Sequence, residues 1–141
     1  MTLDSSIFKA YDIRGIVGSS LTIDGVKLIG KAIGSSAKNV ESICVGRDGR
    51  LSGPSIVSAL IEGITSTGVD VINIGQVSSP ALYFSTHELE TRNGIMVTGS
   101  HNPPEYNGLK IVLDGRAIYG QEIQNLLKLI ETENFDTGHG N

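Results

Sequence analysis

Ser42-Ile43-Cys44-Val45-Gly46, a polar loop, a run from Pro54 to about Thr67, and then Val69-Asp70-Val71-Ile72-Asn73-Ile74: this stretch decides the fold. Its two ends are short apolar runs of strand length. Its middle carries Ile56, Val57, Leu60, Ile61 and Ile64 at helical spacing, and Pro54 suits a first helical turn. Strand, helix and strand in that order make the unit of a parallel sheet. The same alternation continues outward. Thr22 is placed to cap a helix reaching about Ala37, with Val26, Ile29 and Ile33 on its apolar face. Pro80 opens a third helix to about Leu89. Gly94–Thr98 reads as a third strand and Leu109–Leu113 as a fourth. The last helix spans about Gln121 to Thr132, with Ile123, Leu126, Leu127 and Ile130 forming its stripe. The loop between the third and fourth strands is too short for a crossover helix, so that pair is expected to be antiparallel. The expected fold is α/β: a three-layer α/β/α sandwich on a mixed, mostly parallel four-stranded sheet. Phe8–Gly18 reads as an extended segment closed by glycines, and the tail from Asp136 as a linker or frayed end.

Composition sets the outer bounds. A chain of 141 residues suits one domain. Its net charge of −4 argues against a general nucleic-acid or anionic-membrane surface. No apolar run reaches the ~18 residues of a membrane span, and the first residues lack a leader pattern, so the expected location is the cytoplasm. The single cysteine, Cys44, lies in an apolar run and reads as a buried, inert thiol. Glycine numbers 18, nearly twice the average share of about 7%. That excess predicts several tight loops where the backbone turns sharply or a ligand comes close.

Two glycine-bearing polar loops follow Val45 and Val97, at the carboxyl ends of strands, where open α/β sheets bind ligands. The second runs Thr98-Gly99-Ser100-His101-Asn102-Pro103-Pro104-Glu105-Tyr106-Asn107-Gly108-Leu109-Lys110. Two prolines continue neither strand nor helix, so the loop is stiff, with Ser100 near its apex. A nucleophile elbow needs glycines two residues either side of the serine, where Thr98 and Asn102 stand here. Neither a Walker loop nor G-x-G-x-x-G is present. Two readings of Ser100 remain: a turn-capping hydroxyl, or a carrier of a phosphoryl group. The carrier reading finds an imidazole at His101, an ammonium at Lys110 and amides at Asn102 and Asn107 close in sequence.

Thr98–Lys110 resembles the active-serine signature of the α-D-phosphohexomutase superfamily, and most nearly that of the bacterial phosphomannomutase/phosphoglucomutase group. Phe8-Lys9-Ala10-Tyr11-Asp12-Ile13-Arg14-Gly15 is similar to the group's amino-terminal signature, and Val45-Gly46-Arg47-Asp48-Gly49-Arg50 to a third segment. The resemblance covers nearly the whole chain and implies its amino-terminal domain, over residues 1–134. Residues 135–141 would be a linker or the start of a second domain. The implied activity interconverts hexose 1-phosphate and hexose 6-phosphate through a phosphoserine, with hexose 1,6-bisphosphate as intermediate or activator.

The resemblance also implies roles. Ser100 carries the phosphoryl group and, through it, contacts Mg2+. His101 touches the phosphoserine or substrate, and Lys110 serves as a cation or general acid–base. Tyr11 and Arg14 line the substrate cleft, arginine suiting bidentate phosphate recognition. Asn102, Arg47, Asp48 and Arg50 support the loop. The competing readings are a structural histidine, a solvated lysine, a packed tyrosine, an Asx turn and surface ion pairs. His87 and His139 read as surface residues. The expected partners are hexose phosphates and the remaining domains of the same polypeptide, with no nucleic acid and no membrane. The other metal ligands and the sugar-discriminating loop are expected outside this chain, so the chain alone is expected to be inactive. A phosphoglucosamine mutase domain, a non-catalytic sugar-phosphate-binding module and a serine hydrolase using Ser100 and His101 are the alternatives. The last is disfavoured because neighbours on an extended loop point in opposite directions.

Overall fold

The structure, a computed structural model, describes residues 3–37, 42–88, 91–99 and 102–141. Ser100 and His101 lie outside the described residues, as does the side chain of His87. In chain order the elements are β1 (Ile13–Ile16), α1 (Ile23–Ser36), β2 (Ser42–Arg47), α2 (Gly53–Thr65), β3 (Asp70–Gln76), α3 (Ser79–Glu88), β4 (Gly94–Val97), β5 (Tyr106–Leu113), β6 (Arg116–Ala117) and α4 (Gln121–Thr132). A short 3-10 turn, Ser5–Ile7, precedes them. Thr22 caps α1 as expected, its hydroxyl accepting the Gly25 N–H at 3.0 Å.

The sheet order is β1-β5-β4-β2-β3, with β6 paired to β5. β2 runs parallel to β3 and β4, whereas β5 is antiparallel to β4 and β1. The mixed sheet and the antiparallel β4–β5 pair agree with the sequence reading. The strand count does not: the described residues form six strands, not four. β1 comes from the extended segment at Phe8–Gly18. It is four residues long and includes Arg14 and Gly15, so no apolar alternation announces it. Its ladder partner is β5, where Ile13 faces Leu109 and Ile16 faces Tyr106. β6 arises because Asp114 and Gly115 take φ of 55° and 77°, the left-handed pair of a two-residue hairpin turn. Asp-Gly is the residue pair that such a turn favours. On the far side of β6, Arg116 donates to Glu122 at 2.6 and 2.7 Å. These bonds hold the Glu122 carboxyl below the usual carboxylate range and place an anion in the first turn of α4.

Alternate strand positions separate two cores. Ile13, Ile43, Val45, Ile95, Val97, Leu109 and Ile111 pack with the buried faces of α1, α2 and α4. Cys44 and Met96 point the other way, against Leu82 of α3. These are the three layers that the sequence implied. Within the first core, α1 and α2 cross with backbones in contact. A Cβ on Gly30 would stand 2.6 Å from the Leu60 carbonyl oxygen, and one on Gly63 would meet the Lys27 carbonyl. The tail does not leave the body: Gly138 and Gly140 donate to the Ser66 and Thr65 carbonyls, and Val71 on β3 donates to Asn141. Among the described residues, no helix is long and apolar enough to cross a membrane.

Candidate active site

The strand order brings the ends of β1, β2 and β4 and the start of β5 to one edge of the sheet, because β5 runs against its neighbours. The two polar loops picked out in the sequence meet there. Their junction is Asp48. Its N–H donates to the Val97 carbonyl at 3.0 Å, fixing it beside the end of β4. One carboxylate oxygen, Oδ2, accepts the Thr98 hydroxyl at 2.8 Å, the Gly99 N–H at 3.3 Å and Arg50 Nε at 3.3 Å. The other, Oδ1, accepts the Arg50 N–H at 3.1 Å.

Arg50 carries the contact deeper into the loop. Nη1 donates to the carbonyls of Pro103 at 2.7 Å and Tyr106 at 3.2 Å. Nη2 donates to the Asn102 carbonyl at 2.7 Å. Asn102 closes a turn of its own, its N–H and its Nδ2 both donating to the Gly99 carbonyl at 3.0 and 2.9 Å. At the far end Asn107 is fully buried. Its Nδ2 donates to Ser52 Oγ at 2.9 Å, joining the start of β5 to the start of α2.

Two cations flank this loop. Arg14 on β1 lies opposite Gly108, and Lys110 lies two residues along β5 on the same face of the sheet. That face points away from α1, α2 and α4, since Ile13 and Leu109 fill the other. Both side chains are partly buried, and neither has an ion-pair partner among the described residues. A cavity of about 360 Å³ opens beside the loop, lined by Lys9, Arg14, Asn102 and Tyr106 with the hydroxyls of Ser6 and Ser20. A larger groove of about 830 Å³ lies between the C-terminal ends of α1 and α4 and holds none of the motif residues.

The structure thus joins Asp48, Arg50 and Asn102 by hydrogen bonds, with Arg14 lining the cavity beside Asn102 and Lys110 further along the same face of β5. Arg47 stands apart: its side chain lines a cleft with Pro54, Val57 and Asn73, and makes no bond to the serine loop among the described residues. Tyr11 is also outside the loop, 77% exposed, with its ring 6.4 Å from that of Tyr119. The Gly120 N–H donates to the Ala10 carbonyl at 2.7 Å and holds the two segments together. Sequence reasoning missed Tyr119, because nothing along the chain links the loop before α4 to the amino-terminal segment. It also missed the Asn107–Ser52 bond, which needs two distant loops in register.

Magnesium finds no complete donor set in these residues. Among those described, no three His, Cys, Asp or Glu side chains group together. The Asp48 carboxylate is already committed to the serine loop.

Known proteins extend the comparison. The family described as phosphoglucomutase/phosphomannomutase, alpha/beta/alpha domain I, matches residues 5–137. A phosphomannomutase/phosphoglucomutase of Pseudomonas aeruginosa is 48% identical over 141 residues, covering 99% of this chain and 30% of that protein. A phosphoglucomutase of Neisseria meningitidis is 50% identical over 131 residues, covering 92% of this chain and 28% of its own length. The crystal structure of a phosphoglucomutase/phosphomannomutase family protein from Burkholderia thailandensis superposes with a TM-score of 0.94 at 47% identity, over 99% of this chain and 33% of that one. The chain therefore spans about 30% of the length of the curated relatives it matches. With its three layers, its serine-loop signature and a family match over nearly its whole length, this chain belongs to the phosphoglucomutase/phosphomannomutase family, as an α/β/α domain I.

Proposed function

We propose that this chain is the serine-bearing part of an enzyme that interconverts hexose 1-phosphate and hexose 6-phosphate. The observation that carries the reading is the Thr98–Lys110 signature held by Asp48 and Arg50 at the sheet edge where Arg14 and Lys110 also stand. Phosphoryl transfer between oxygens asks a protein chiefly for positioning and charge compensation, and a stiff loop flanked by cations offers both.

In this reading Ser100 carries the phosphoryl group. The P–Oγ bond breaks as a P–O bond forms to the free O1 or O6 of the sugar phosphate. The sugar hydroxyl proton leaves to a base, and the serine oxygen takes up a proton as the P–Oγ bond breaks. The bisphosphate turns over in the site, and its other phosphoryl group returns to Ser100. Lys110 stabilises or protonates the transferring oxygens. Arg14 holds a phosphate with its two-pronged guanidinium, Tyr11 borders the sugar, and His101 touches the phosphoserine or substrate. Asn102, Asp48, Arg50 and, more remotely, Arg47 hold the loop. Mg2+ supplies charge compensation when bound. Within this chain its ligand would be a phosphoryl oxygen on Ser100, the others coming from further domains of the same polypeptide. In this reading the 141-residue chain, spanning about 30% of the length of its curated relatives, has no turnover by itself.

The test is mass spectrometry and assay of the polypeptide that carries this chain. The expected result is one phosphate on Ser100, absent in Ser100→Ala together with conversion of glucose 1-phosphate. Lys110→Ala should lower kcat on the order of 10²–10⁴-fold. Undiminished turnover by Ser100→Ala would sink the reading.

A further inference from the structure

We propose that Arg50 is the positioning residue of the phosphoryl-carrying loop, and that residue 99 must be glycine because the Arg50 guanidinium fills the space its side chain would take. This rests on the reading of Ser100 given above. A loop containing Pro103 and Pro104 has few N–H groups with which to tie itself down. Its carbonyls turn inward instead. Those of Asn102, Pro103 and Tyr106 converge on one guanidinium, at 2.7, 2.7 and 3.2 Å. The Arg50 side chain is only 16% exposed, so a largely desolvated cation lies against the loop's carbonyls. Asp48 faces it at 3.3 Å and holds Thr98 and Gly99 through the same oxygen.

The bracket therefore grips Gly99 on one side of the pair 100–101 and Asn102 on the other. Only arginine suits it, since five N–H groups in a planar fork reach three separated carbonyls and a carboxylate at once. A lysine keeps the charge but concentrates three donors at one point. A Cβ on residue 99 would overlap Cζ and Nε of Arg50, so the bracket and the glycine depend on each other. Displacing a reacting group by about 1 Å can cost on the order of 100-fold in rate, which is the scale on which such a bracket matters.

Two measurements test this. In the 141-residue chain, amide hydrogen exchange is followed by NMR for Arg50→Lys, Gly99→Ala and the double variant. Either single change should speed exchange at Asn102 and Tyr106 at least tenfold and leave Cys44, in the sheet, unchanged. The double variant should be no faster than Arg50→Lys alone. Unchanged exchange, or independent effects that multiply, would overturn the proposal. Should Arg50→Lys fail to fold, Gly99→Ala decides by itself. In the polypeptide that carries this chain, both single variants should lower kcat about 100-fold with KM for glucose 1-phosphate within about threefold. A raised KM with kcat unchanged would refute positioning. If instead the unsubstituted protein bears no phosphate on Ser100 and no mutase activity, the functional reading falls, and the exchange measurement still decides whether Arg50 and Gly99 organise the loop.

Discussion

Asp48 shows how much one side chain can organise. A single oxygen accepts from the Thr98 hydroxyl, the Gly99 N–H and Arg50 Nε, and two of these donors belong to the loop after β4. Hydrogen bonds to a charged acceptor contribute about 1.5–3 kcal/mol each, more than those between neutral groups. Asp48→Asn replaces one acceptor oxygen by a donor and removes the charge facing Arg50. It should destabilise the chain by about 1–2 kcal/mol in urea denaturation at neutral pH, and a change below about 0.3 kcal/mol would count against this role. Cys44 is the opposite case. It is fully buried between β-strands and α3, as its apolar neighbours in sequence implied. Its sulfur meets the Thr91 hydroxyl at 3.5 Å, and nothing in the site uses it.

At the scale of elements, the crossing of α1 and α2 sets two effects against each other. Glycine inside a helix costs about 1 kcal/mol relative to alanine, so propensity alone favours Gly63→Ala. Packing opposes it. The added methyl would meet the Lys27 carbonyl and stand 3.0 Å from Gly30 Cα, and backbone cannot step aside by changing rotamer. Overpacking of this kind costs about 1–3 kcal/mol or more. Gly63→Ala should therefore be destabilising by about 1–2 kcal/mol despite its better propensity, as read by thermal melting. A raised melting temperature would show that the helices can separate without loss. The helix ends themselves were legible: Thr22, Pro54 and the stripe from Ile123 to Ile130 all lie where the sequence put them. β1 was not, because a four-residue strand acquires its identity from the β5 backbone it pairs with.

For the whole molecule, the docked tail is a near-balanced interaction. Gly138, Gly140, Asn141 and Val71 make hydrogen bonds that seat residues 136–141 against α2 and the outer edge of β3. Such bonds contribute about 1 kcal/mol each. Ordering the segment costs about 1–2 kcal/mol per residue, which offsets that gain. Deleting residues 136–141 should therefore shift global stability by less than about 1 kcal/mol. The Val71 amide, freed at an edge strand, should exchange at least tenfold faster. A loss of several kcal/mol would mean that the tail is an integral part of the fold.

The sequence by itself determined the class of fold, the three layers, the antiparallel pair around the serine loop and the motif residues that mark a phosphohexomutase domain. These depend on local quantities: periodicity, caps, prolines and the order of a contiguous signature. Only the tertiary structure decided that β1 and β6 join the sheet, that Tyr119 meets Tyr11, that Asn107 reaches Ser52, by which atoms Asp48 and Arg50 hold the serine loop, and that Arg47 faces another cleft. Those facts are pairings between segments far apart in the chain. Backbone hydrogen bonds and side-chain reach settle them only once the strands lie side by side.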